Sequence, residues 1–104
     1  MPVQPFVLAR RAQLIELCRR LGVRRLDLFG SAVRDDFSTE SSDLDFLVEL
    51  APSPPQAYAE RYFALKDALE QLFARPVDLL TPAALRNPYL RSRVDAERQT
   101  VYAG

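Results

Sequence analysis

Apolar and polar residues recur along this chain with two distinct periods. In residues 7–21 the apolar side chains Leu14, Leu17, Cys18 and Leu21 fall at i, i+3, i+4 and i+7, the stripe of an amphipathic helix. Gly22 follows where a C-terminal glycine closes such a helix. From Val23 to Phe29 the period shortens to two, with Leu26 and Leu28 alternating with Asp27 and Phe29, and Gly30 ends the strand. Residues 31–42 are polar and leave room for one helical turn at 32–36. The clearest strand covers 43–50, with Leu44, Phe46, Val48 and Leu50 on one face and Asp43, Asp45, Leu47 and Glu49 on the other.

The proline-rich stretch 51–55 predicts a stiff surface connection, because proline neither donates to a ladder nor continues a helix. A long helix follows, marked by Tyr58, Tyr62, Leu65, Leu69 and Leu72 at spacings of four and three, a stripe that reads as core packing. Val77-Asp78-Leu79-Leu80 is a third strand. Thr81-Pro82 suits the start of a helical turn, and Asn87-Pro88 the start of a last helix carrying Leu90 and Val94. Residues 100–102 read either as an edge strand or as a frayed tail. The order α-β-(short α)-β-α-β-α predicts an α/β (α+β) fold, a two-layer core with a mixed sheet of three or four strands flanked by helices. One domain is expected across residues 1–104, since no repeat or boundary interrupts the pattern.

Composition narrows the chemistry. Among 104 residues there is no histidine, which excludes a Ser-His-Asp or Cys-His relay and any His-ligated metal. Cys18 is the single cysteine, so no internal disulfide or Cys₄ zinc site exists, and its place on the helix stripe predicts a buried small hydrophobe. The three glycines cannot spell G-x-G-x-x-G or a Walker A loop. Fourteen basic and fourteen acidic residues cancel, which weighs against sequence-independent nucleic-acid binding. No apolar run is long enough to span a membrane or form a secretory signal, so a cytoplasmic protein is expected. Chemistry must then come from carboxylates, hydroxyls, arginines and bound metal.

Asp43 and Asp45 stand two residues apart on one strand and therefore on one face. Aspartate is depleted in strands, and two of them before Phe46-Leu47-Val48 conflict with their surroundings, as site residues do. Oxygen ligands without His or Cys favour Mg²⁺ or Mn²⁺. Asp78 is a third carboxylate inside an apolar strand. Gly30-Ser31 ends another strand, where a missing Cβ lets the backbone approach a phosphate, and Arg34 adds a planar fork suited to phosphate oxygens.

Together these strings resemble the nucleotidyltransferase superfamily of DNA polymerase β. They are Leu28-Phe29-Gly30-Ser31 with Arg34, then Ser42-Asp43-Leu44-Asp45-Phe46-Leu47-Val48, then Val77-Asp78-Leu79. Within the superfamily the chain is similar to the minimal nucleotidyltransferases; the likeness is closest over residues 23–81, and Asp35 departs from the small residue common after the arginine. The resemblance implies transfer of a nucleoside monophosphate from an NTP, with Asp43, Asp45 and Asp78 as catalytic and metal-holding residues for two Mg²⁺ ions. It implies that Gly30, Ser31 and Arg34 bind the phosphates of ATP. It further implies an antitoxin of a type VII-like pair that adds AMP to a tyrosine of an all-α HEPN toxin. The rival readings are an antitoxin that blocks its partner by contact alone, and a transferase acting on a small-molecule or RNA-end hydroxyl. With no second domain expected, the partner would present the hydroxyl, as a hetero-oligomer or across a homo-oligomer.

Overall fold

The computed structural model describes residues 5–33 and 43–104. Helices α1 (Pro5–Leu8) and α2 (Arg11–Arg20) lead into strand β1 (Val23–Phe29) and a 3₁₀ turn (Gly30–Val33). Strand β2 (Leu44–Leu50), helix α3 (Pro55–Phe73) and strand β3 (Val77–Leu80) follow. A 3₁₀ turn (Pro82–Ala84), helix α4 (Pro88–Glu97) and strand β4 (Gln99–Ala103) complete the order. The sheet order is β3-β2-β1-β4, with β2 parallel to β3 and both other pairs antiparallel. The mixed four-stranded sheet agrees with the expected architecture, and the C-terminal residues form the edge strand of the two alternatives.

The helical stripes bury as their spacing requires. Leu14, Leu17 and Cys18 of α2 and Leu65, Leu69 and Phe73 of α3 pack on Leu26, Leu28, Leu44, Phe46 and Val48 of the sheet. Tyr58, Tyr62 and Leu72 lie at the margin of this core, as packing residues. Gly22 closes α2 at φ +69°, the left-handed conformation glycine adopts without a Cβ penalty. The first helix departs from expectation, because the chain turns at residues 9–10 and divides it in two. Val7 belongs to the short α1 and still reaches the core.

The opposite face of the sheet is covered in part. Phe29, Leu47, Leu85 and Val94 form a second small core there, with Leu80 against it. Leu47 therefore lies on the face expected of it but is buried beneath α4. Asn87 starts α4 with its side chain accepting from the backbone of Tyr89 and Leu90 at 2.9 and 3.4 Å, and Pro88 fills the first turn. Thr81 precedes its 3₁₀ turn without a side-chain capping bond; its carbonyl accepts the Ala84 N–H at 2.9 Å, and Pro82 fills the first turn. Among the described residues no helix is long and apolar enough to cross a membrane.

Candidate active site

Parallel pairing of β2 with β3 sets the two central carboxylates. Leu44 lies opposite Val77, which brings Asp45 directly beside Asp78. On its other side Asp45 pairs with Phe29, so the turn that begins at Gly30 comes against the same carboxylate. Gly30 has φ +75°, and a Cβ there would collide with Asp45 Oδ2 and come within 3.1 Å of its Cγ. Both the backbone conformation and the approach to Asp45 thus require glycine.

Helix α3 holds β3 in this register. Glu70 accepts the Val77 backbone N–H at 3.0 Å, and Lys66 lies 3.5 Å from the same Glu70 oxygen. The Tyr62 hydroxyl donates to the Leu79 carbonyl, the residue after Asp78. The strand is thus tied to one helix on both sides of Asp78.

Gly30, Asp45 and Asp78 line a cavity of about 250 Å³, together with Phe29, Leu80, Leu90, Arg93, Val94 and Glu97. Asp43 is exposed immediately before β2 and is not part of this lining. Ser31 stands in the 3₁₀ turn that follows Gly30. Arg34, Asp35 and Ser42 lie outside the described residues. Among the described residues no three His, Cys, Asp or Glu side chains are gathered closely enough to hold a metal ion as they stand. The lining carboxylates are nevertheless hard oxygen donors with no nitrogen or sulfur ligand among them, the donor chemistry that suits Mg²⁺.

The wall built by α4 is absent from the sequence reading. Glu97 Oε2 accepts the Gly30 backbone N–H at 3.2 Å, and Arg93 Nε lies 3.7 Å from Glu97 Oε1. The next residue, Arg98, reaches Asp27 Oδ2 at 3.3 Å, while Arg25 Nε lies 3.0 Å from Asp27 Oδ1. Asp27 is 1% exposed and is the buried charged residue of β1, so its two arginines offset the loss of water around the carboxylate. The sole available sequence signal for Glu97 was its position next to Arg98 on a weakly patterned helix.

Residues 11–101 match the family described as Nucleotidyltransferase domain. A relative named protein adenylyltransferase MntA, from Thermococcus cleftensis, is 33% identical over 87 residues, covering 84% of this chain and 81% of its own. A solved structure of a candidate minimal nucleotidyltransferase is 35% identical with a TM-score of 0.72, covering 89% of this chain and 90% of that one. A chain in the complex of a tri-AMPylated Shewanella oneidensis HEPN toxin with its MNT antitoxin shares the fold, at 21% identity and a TM-score of 0.57. The match covers 94% of this chain and 73% of that one.

Proposed function

Because the chain belongs to the nucleotidyltransferase domain family, we propose that it is a Mg²⁺-dependent protein adenylyltransferase. It moves AMP from ATP to a tyrosine hydroxyl of an all-α HEPN toxin and so serves as that toxin's antitoxin, acting in the cytoplasm as a single domain. The observation that carries the reading is the side-by-side placement of Asp45 and Asp78 at a cavity that Gly30 also lines. Two carboxylates in adjacent register repel, and a divalent cation is the chemistry that offsets the repulsion. The names of the Thermococcus relative and of the Shewanella complex support the choice of AMP and of a toxin acceptor.

Asp45 and Asp78 would hold Mg²⁺, with Asp43 joining from two residues upstream; Mn²⁺ suits the same donors. The ions, when bound, supply charge neutralisation at the phosphates and at the attacking and leaving oxygens. Each side chain then has a task of its own. The Gly30-Ser31 turn, with Arg34, orients the β- and γ-phosphates so that the α-phosphorus faces the acceptor. Asp78, on the outer strand, takes the proton from the acceptor hydroxyl. The hydroxyl oxygen bonds to the α-phosphorus as the bond to the leaving pyrophosphate breaks, which is chiefly a matter of positioning and charge.

Calorimetric titration of ATP with Mg²⁺, paired with transfer of labelled AMP to a HEPN partner, tests the division of labour. Asp45→Asn is expected to lose both binding and transfer, and Asp78→Asn to keep binding while losing transfer. Wild-type protein without metal-dependent ATP binding, or Asp78→Asn transferring at the wild-type rate, overturns the reading.

A further inference from the structure

The turn that begins at Gly30 is held from a point 67 residues further along the chain, where Glu97 accepts the Gly30 N–H. Glu97 is only 20% exposed, and Arg93 beside it balances its charge. A carboxylate accepting a backbone amide makes a charge-assisted bond, roughly twice as strong as a neutral one. Its neighbour Arg98, just past the end of α4, grips Asp27, so two consecutive residues hold β1 at Asp27 and the turn after it at Gly30, on either side of Phe29. This double hold meets the place where Gly30 is pressed against Asp45.

We infer that Glu97 is a positioning residue for nucleotide transfer: by accepting the Gly30 amide it fixes the phosphate-facing turn against Asp45. Gly30 then serves the phosphates by leaving room, and its own N–H is committed to Glu97. The alternative role for a carboxylate at this amide is competition with phosphate, in which case its removal would tighten ATP binding. The Arg93 contact favours positioning, because a carboxylate already balanced by a neighbouring cation presents little net charge to the phosphates. The inference rests on the adenylyltransferase reading for its kinetic readout and is independent of it for its structural one.

The test compares wild type, Glu97→Gln and Glu97→Ala in the full chain. Hydrogen exchange of the Gly30 amide is read by NMR, affinity for ATP with Mg²⁺ by calorimetry, and AMP transfer to the HEPN partner by label. Glutamine keeps an acceptor oxygen, so the Gly30 amide stays protected and kcat stays within about threefold of wild type. Alanine lowers protection at least about tenfold and kcat about tenfold to a hundredfold, the scale of a reacting group misplaced by about an ångström. Tighter ATP binding by Glu97→Ala, equal damage from both substitutions, or an unchanged Gly30 amide in Glu97→Ala overturns the inference. If the wild type transfers no AMP, the functional reading fails by itself, and amide protection with ATP affinity still decides the role of Glu97.

Discussion

Replacing Gly30 with alanine tests the local geometry of the site, because two separate terms should appear. The backbone holds φ +75°, which costs an L-residue about 1–2 kcal/mol. The new methyl would also run into Asp45 Oδ2, with Cγ at 3.1 Å and Cβ at 3.4 Å, so the carboxylate must leave its rotamer at a further cost of about 0.5–1.5 kcal/mol. The sum is about 1.5–3.5 kcal/mol, or a fall in Tm of roughly 6–28 °C for a domain of this size. The two terms separate in a double-mutant cycle with Asp45→Ala, which removes the obstructing atoms. In that background Gly30→Ala should cost only the backbone part, leaving a coupling of about 0.5–1.5 kcal/mol by urea unfolding. Transfer activity should fall about a hundredfold in the single variant, since Asp45 is displaced. Equal costs in both backgrounds would refute the contact with Asp45, and no cost in either would refute the left-handed turn.

Three further outcomes follow from features outside the cavity. Asp27→Asn should destabilise by about 2–3 kcal/mol in chemical unfolding, below the roughly 3–5 of a fully buried pair because Arg25 and Arg98 are 39% and 28% exposed; a neutral result would mean the pairs act as surface contacts. Ala74 closes α3 at φ 53°, so Ala74→Gly should raise stability by about 0.5–1 kcal/mol in the same assay. Burial pushes the Cys18 thiol up from its ordinary 9.0 to about 12, and the thiol should resist aromatic disulfide reagents until the protein unfolds. The raised value also makes Cys18 a source of stability that is full below about pH 9 and is lost as pH climbs toward 12, at about 1.4 kcal/mol per pH unit. Unfolding free energies across that window should therefore fall more steeply for wild type than for Cys18→Ala.

Elements set by local periodicity were legible in the sequence, and those set by distant partners were not. The period of two in β1 and β2 and the stripes of α2 and α3 each follow from one face meeting one core. Gly22 and Asn87 show their roles through local backbone chemistry. The break after Leu8 carries no glycine or proline to mark it, and only Arg10 and Arg11, one turn before Leu14, interrupt the apolar pattern there. Asp27 alternates with Leu26 and Leu28 as a solvated residue would, yet it is buried, because Arg98 reaches it from beyond the last helix. The same distance hid Glu97. At the site, the residue types at Gly30, Asp45 and Asp78 were readable from their conflict with apolar strands. Their meeting depends on the parallel register of β2 with β3, which no local pattern encodes. The burial of Leu47 likewise needed α4 to cross the second face of the sheet.

Adenylyl transfer by this chain is tested most directly by following label from α-³²P-labelled ATP, in the presence of Mg²⁺, to a co-purified HEPN partner, with the modified residue identified by mass spectrometry. AMP is expected on a partner tyrosine for the wild type, none without divalent cation, and none for the Asp43→Asn/Asp45→Asn double variant. An unmodified partner in the wild-type reaction, or equal label with the double variant, would contradict this expectation.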